Sequence, residues 1–392
     1  MADPGLAEPA LLTRVIDEPH PDIELGVART PMTYTARLPA EGINSDTGLI
    51  LYIGGYGMNP GDGYTASLLS YLADRHNCVA AAFNYFGARM IAGTADRIVP
   101  HPDFFQNLTA HYGLTVSVSP EIAMEEILAR IATLLAQNGI ARLPDDCRLI
   151  NRSQEYNSMG FLPALDGLTV VHDLMRTFAL NKTRLFLLGT SYGGYIAGLI
   201  AKFAPRTFRM IVDNSGFSSA NDDRPAVLGW QKLFMNGVAM LCQNVPSWSP
   251  DPGSPHFFSK ERQTIRNLLC RAHVFPGTGR IYAYHSATDT VAPTERKQRL
   301  RDTYKDRVAY ELAIIDENQI DGRNFKTLAH GMNASLRGLF DLSHEKFLRD
   351  GGALSDATDF DHAGDYVFAC GAQDYRIAFS PEQGVRAVLR AA

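Results

Sequence analysis

Residues 185–205 read LFLLGTSYGGYIAGLIAKFAP. A run of large apolar residues stops at Gly189-Thr190-Ser191-Tyr192-Gly193-Gly194 and resumes with small residues at helical spacing. The pattern predicts a buried strand, a tight turn and a helix. An ordinary strand-to-helix turn needs one or two glycines and no particular side chain. G-x-S-x-G between strand and helix is the pattern of a nucleophile elbow, a turn that strains its serine and tolerates only small neighbours. Such a turn lifts the Ser191 hydroxyl above the carboxyl edge of a sheet. The helix behind it aims its first N–H groups and positive dipole end at the same place. The competing reading is a turn serine with no chemistry.

Working outward, Gly48–Gly54 and Cys78–Asn84 are apolar runs suited to strands buried on both faces, with helical spacing over 66–75 between them. That alternation predicts a parallel sheet. Further units follow: a helix at about 160–179, strands at 184–188 and 210–214 around a helix at 194–204, strands at 280–285 and 309–315, and a helix over 334–349. Two stretches interrupt them, at about 87–155 and 217–275, and are expected to be inserted lid or cap segments. The first should hold a helix over 121–138, with Ser119 as N-cap, Pro120 at its first position, and Ile122, Ile127, Ile131 and Leu134 on its apolar face. The second should hold helical pieces near 225–242 and 259–270. Residues 1–30 read as an arm with one strand at most, and 34–39 as a strand. The main domain then spans 31–345. The extension 346–392, expected to pack on the core, should contain a strand at 366–370 and a helix after Pro381. The fold class is α/β: a mostly parallel central sheet with helices on both faces, the α/β-hydrolase fold.

A serine hydroxyl needs a base. With this elbow the chain order is Ser, acid, His. IYAYHSATDTVAPTE (281–295) is a strand followed by a loop carrying Asp289, and KTLAHGMNASL (326–336) puts His330 in the loop after the last strand. Both follow strand ends, where catalytic loops gather in open parallel sheets. Asp213, at the end of the strand MIVDN, is the rival acid. Asp289→Asn is expected to lose activity by orders of magnitude, and Asp213→Asn to stay folded and active. His285 lies beside the acid loop. The backbone donors for an oxyanion would be Tyr192, after the serine, and Tyr56 or Gly57 in LYIGGYGMNPG (51–61), whose glycines allow close approach. No G-K-[ST] follows that loop, so it is not a phosphate loop.

With 392 residues, 45% hydrophobic and 20% charged, the chain is long enough for one large α/β domain with insertions. A net charge of −5 with scattered Lys and Arg argues against nucleic acid as a partner. No apolar run approaches the roughly 20 residues of a membrane span, and the first residues show no basic segment leading into an apolar one, so no secretory signal is expected. Five cysteines, far apart and without C-x-x-C, give neither a disulfide framework nor a zinc site. A cytoplasmic protein without cofactor or metal is expected. SDATDFDHAGD (355–365) is acidic but lacks EF-hand spacing and reads as a solvated loop.

Three segments, EYNSMGFLPALDGLTVV (155–171), LLGTSYGGYIAGLIAKFAPRTFRMIVDNS (187–215) and LAHGMNASLRGLF (328–340), together resemble an uncharacterised α/β-hydrolase-like family often encoded beside flagellin-glycosylation genes. The IGGYG loop and FNYFGAR (83–89) are similar to its pattern too, and the likeness covers most of 20–345. That family has a histidine where this chain has Tyr192. The resemblance implies an intracellular serine-hydrolase-like protein handling acyl groups on sugars or related glycans. GTSYGGY is also similar to the elbow of prolyl-oligopeptidase-like peptidases. The expected function is hydrolysis of an acyl ester, thioester or amide of a small molecule or glycan. A peptidase, an acyltransferase and a non-catalytic accessory protein of the same fold are the alternatives.

Overall fold

The structure, a computed structural model, describes residues 11–88, 97–119, 121–151, 155–352 and 355–392. In chain order the strands are β1 (Leu11–Ile16), β2 (Met32–Arg37), β3 (Gly48–Ile53), β4 (Cys78–Phe83), β5 (Arg97–Pro100), β6 (Cys147–Ile150), β7 (Leu185–Thr190) and β8 (Met210–Asn214). They continue as β9 (Trp230–Met235), β10 (Val238–Val245), β11 (Arg280–Ser286), β12 (Ala309–Ile315), β13 (Gly364–Ala369), β14 (Gln373–Ser380) and β15 (Gly384–Ala391). The main helices are α1 (Gly63–His76), α2 (Phe104–Tyr112), α3 (Met124–Gln137), α4 (Phe161–Thr177), α5 (Tyr192–Phe203), α6 (Lys260–Ile265), α7 (Thr294–Tyr304) and α8 (Leu336–Arg349).

The chain forms two compact units. The larger holds the described residues of Met1–Tyr85, Met159–Asp222 and Lys260–Ala392. Its eight-stranded sheet runs β1-β2-β4-β3-β7-β8-β11-β12, with β2 antiparallel to both neighbours and the pairs from β4 to β12 parallel. Alternate side chains (Ile50, Tyr52, Ala80, Phe186, Leu188, Val212) form one cluster with α1 and α8 through Leu68, Leu72, Leu339 and Phe340. The opposite face carries α4 and α5, where Gly167 lets the Phe83 ring and Ile200 approach. Central strands buried on both faces explain the unbroken apolar runs in the sequence. This strand order, with one antiparallel second strand and the elbow after β7, is the α/β-hydrolase fold.

The tail forms a three-stranded antiparallel sheet, β13-β14-β15, in the same unit. The helix expected after Pro381 is instead β15, in register with β14 from Gly384 to Ala391. Gly384, at φ +71, makes the turn, and Val385 and Ala387 alternate inward, a period too short in sequence to separate from a helix. Asp359 accepts from the Arg206 amide and the Thr207 hydroxyl, His20 accepts from the Ala387 amide, and the Tyr375 phenol donates to Glu24. The first strand of the arm, β1, pairs with β2.

The smaller unit, Phe86–Ser158 and Asp223–Ser259, has its own core. Its sheet runs β5-β6-β10-β9, and Cys147, Leu149, Met240 and Cys242 pack there with Ile127, Ile131 and Leu135 of α3. Two expectations are corrected here. In the region read as helical near 225–242, a single helical turn, Arg224–Val227, gives way to the hairpin β9–β10, turned by Asn236-Gly237, both at positive φ. Asn-Gly between alternating strands is the two-residue turn whose twist matches a hairpin. In addition, α3 starts at Met124, not after a Ser119 cap: Ser119 closes a local turn, accepting from Glu121 and Ile122 amides. Glu125 and Glu126 supply the negative charge at that helix start. Leu134 is 42% exposed, off the apolar face. Pro120 lies outside the described residues.

Three buried imidazoles in the larger unit make stability depend on pH. Burial lowers His20, His273 and His344 from 6.5 to about 4 each. The unfolded chain therefore takes up these protons before the folded one does. Stability should be level above about pH 6.5 and fall steadily from there to about 4. Thermal melting across that range checks it; a melting temperature that rises on acidification contradicts it.

Candidate active site

The elbow answers why three glycines surround one serine. Ser191 sits at φ +54, ψ −123, a conformation that costs a non-glycine residue about 1–3 kcal/mol. A Cβ on Gly189 would lie 2.7 Å from the Gly194 Cα, one on Gly193 would strike the Ile53 and Gly54 carbonyls, and one on Gly194 would strike the Asp213 carboxylate. The turn is wedged between the ends of β3 and β8, and each glycine removes one collision. The Ser191 amide donates to the Asn214 carbonyl at 2.7 Å, fixing the turn to β8.

Ser191 Oγ lies 2.8 Å from His330 Nε2, and His330 Nδ1 lies 2.8 Å from Asp289 Oδ2. Asp289 follows β11 and its other oxygen accepts the Val291 and Ala292 amides at 2.9 Å each. Burial pushes its carboxyl up, but the hydrogen bond with His330, the Ala292 amide and the charges of His330 and His285 outweigh it, so the group is held below the ordinary carboxylate range. The acid loop is tied to the histidine loop by the Ser286 hydroxyl, which donates to the Leu328 carbonyl at 2.6 Å. His285 is fully buried; its Nε2–H donates to the Ala292 carbonyl, and burial, then Lys297, lower its pKa. It braces the Asp289 loop.

Asp213 is engaged elsewhere. Its carboxylate forms a buried ion pair with Lys297 and accepts the Gly216 amide at 2.9 Å. Lys297 also donates to the Gly216 carbonyl at 2.8 Å. The rival acid is thus part of a buried charge pair, a role that no local feature of the sequence reveals.

The loop 54–58 lies against Ser191: a Cβ on Gly55 would sit 3.3 Å from its Cβ. Gly57 takes φ +75, and the Gly55 carbonyl accepts from the Met58 amide and the Tyr85 phenol. The Tyr56 and Tyr192 rings stack at 4.2 Å between centroids, 16° apart. The Tyr192 phenol is fully buried; burial and the neighbouring tyrosines push its pKa well up, against a hydrogen bond with the Gly160 backbone. Tyr192 is therefore a neutral pillar under the loop, joining the two residues whose amides are the expected oxyanion donors. Phe217, missed in the sequence, packs its ring 6.1 Å from that of His330 and 6.3 Å from that of Tyr56.

Among the described residues, no three His, Cys, Asp or Glu side chains converge as a metal site, and no helix is long and apolar enough to cross a membrane. In the acidic loop, Asp359 holds the Thr207 region and Asp361 pairs with Lys182.

Among solved structures, the chain is similar to the Pyrococcus horikoshii acylaminoacyl peptidase, at 14% identity and a TM-score of 0.48, over 90% of this chain and 43% of that one. It therefore spans less than half of the peptidase's length. It is also similar to Est1E from Butyrivibrio proteoclasticus with ferulic acid bound, at 11% identity and TM-score 0.45, over 81% and 95% of the two chains. A third is Thermogutta terrifontis esterase 2 phosphonylated by sarin, at 11% and 0.42, over 90% and 98%. Comparison with curated proteins yields no match. The family model described as "Protein of unknown function (DUF2920)" matches residues 16–349, and the chain belongs to that family.

Proposed function

We propose that this protein is a serine hydrolase that cleaves an acyl ester, thioester or amide through an acyl-enzyme. The observation that supports this is the continuous hydrogen-bonded array from Ser191 Oγ through His330 to Asp289, with both contacts at 2.8 Å. In this reading, His330 Nε2 takes the proton of Ser191 as Oγ attacks the carbonyl carbon, and Asp289 steadies the imidazolium through Nδ1. The negative oxygen faces the Tyr192 amide at the start of α5 and the Tyr56 amide of the stacked loop, with Gly57 the alternative donor. His330 then returns the proton to the leaving group, and water repeats the sequence to release the acid. An acyl group on a sugar or glycan is the substrate we favour, in line with the sequence resemblance.

Labelling with a fluorophosphonate probe tests the reading. The wild type should be labelled at Ser191 and Ser191→Ala not at all. A wild type left unlabelled, and inert towards a panel of acyl esters, thioesters, peptides and acylated sugars, would sink the enzyme. Adding a sugar or alcohol acceptor to the same panel separates hydrolysis from acyl transfer.

A further inference from the structure

We propose that Asn214 and Ser215, at the end of β8, form a clamp on Gly331 that sets the distance between Ser191 and His330. They would be positioning residues for the acyl transfer, so the inference rests on the serine-hydrolase reading.

The need for a clamp lies in the histidine loop. The three residues after His330 are all left-handed: Gly331 at φ +77, Met332 at +57 and Asn333 at +43. Only the first is a glycine, so the other two positions are strained, and a loop like this persists only when its surroundings over-determine it. The segment from Phe325 to Ala334 has neither helix nor strand of its own. Turns of its own shape it, with the Met332 carbonyl accepting the Lys326 and Thr327 amides, but its seat on the sheet needs an outside contact.

The end of β8 supplies it. Asn214 Nδ2 donates to the Gly331 carbonyl at 3.2 Å, and Ser215 Oγ accepts the Gly331 amide at 3.3 Å. The residue after the base is thereby held at both its N–H and its C=O, one group in each of two successive peptide units. The same Asn214 holds the nucleophile: its carbonyl accepts the Ser191 amide at 2.7 Å, and Nδ2 also donates to Thr190 Oγ1 at 3.1 Å. Two adjacent residues thus hold Ser191 and the residue that follows His330, on either side of the 2.8 Å Ser191–His330 contact. The clamp is itself anchored. Ser215 takes φ +56 and its amide donates to the Tyr284 carbonyl, while Lys297 and Asp213 grip Gly216.

Asn214 is 2% exposed, and among the described residues its Oδ1 has no hydrogen-bond partner. A buried amide with an unpaired acceptor is a poor choice for stability alone. Leucine has nearly the same shape without that cost. Asparagine here is explained by what Nδ2 holds.

The experiment compares Asn214→Leu and Ser215→Gly with wild type, by rate of fluorophosphonate labelling, steady-state ester hydrolysis and thermal melting. Glycine suits the left-handed backbone at 215 and removes the hydroxymethyl group that accepts the Gly331 amide, so it serves if the leucine variant does not fold. For Asn214→Leu we expect kcat and labelling rate to fall about tenfold to a hundredfold with KM unchanged, because a misplaced base slows chemistry without weakening binding. Ser215→Gly should fall less, with the same split, and neither should melt much earlier than wild type. If both variants fold and are labelled at the wild-type rate, the clamp is refuted and the hydrolase reading stands. Loss of stability with kcat intact makes the pair structural and likewise refutes it. A wild type that is neither labelled nor active removes both proposals together.

Discussion

Asp289→Asn should lower kcat by about ten-thousandfold while the protein keeps its melting temperature. The amide oxygen can still accept the Val291 and Ala292 amides, so the loop stays formed. What is lost is the charge opposite His330 Nδ1 and the ring tautomer that charge selects. Asp213→Asn should do the reverse. It strips the partner from Lys297, whose side chain is 1% exposed, and breaking a buried pair from one side costs about 3–5 kcal/mol. Below its lowered melting temperature that variant should still turn over substrate at a rate far closer to wild type. The sequence leads one to expect Asp213→Asn folded and active; the ion pair adds a loss of stability to that expectation. Ester hydrolysis and urea melts on the two variants separate the roles, and an exchange of the two outcomes would make Asp213 the acid.

The second large effect is expected outside the Ser191–His330–Asp289 array. Glu24→Gln should destabilise the larger unit by about 3–5 kcal/mol. The Glu24 carboxylate and the Arg266 guanidinium are both fully buried, bonded in a fork with one arm at 2.8 Å. The Tyr375 phenol donates to the same carboxylate at 2.5 Å, and the guanidinium lies 5.4 Å from the centre of the Phe161 ring. Neutralising Glu24 leaves the guanidinium buried without its counter-charge. By contrast, Lys346→Ala removes an exposed pair with Glu311 and should move the urea midpoint by the equivalent of about 0.5 kcal/mol or less. Equal shifts for the two variants would mean that the buried network carries no special weight.

The parts of the fold that were legible are those in which local pattern and long-range packing agree. β7 and α5 show themselves because a strand buried on both faces is apolar throughout and the elbow demands glycines at fixed offsets. Ser191, Asp289 and His330 can be set side by side on paper because each follows a strand end and the sheet is parallel, and the structure hydrogen-bonds the three. Where short windows carry the reading, it fails. β9, β10 and β15 have eight residues or fewer, too few to tell period two from a helical face, and Asn236-Gly237 was the missed signal. The work of Lys297, Asn214, Ser215 and Phe217 is illegible for another reason. Each acts on a residue that only the folded chain brings near it.

The matched region of the family ends at residue 349, but the folded body does not. Beyond it, Phe360 stacks on His172, Tyr375 closes the Glu24–Arg266 network, and β15 meets His20. The tail therefore cannot be traded between relatives as a module. A hybrid cut at 349 would inherit from each parent half of several buried contacts.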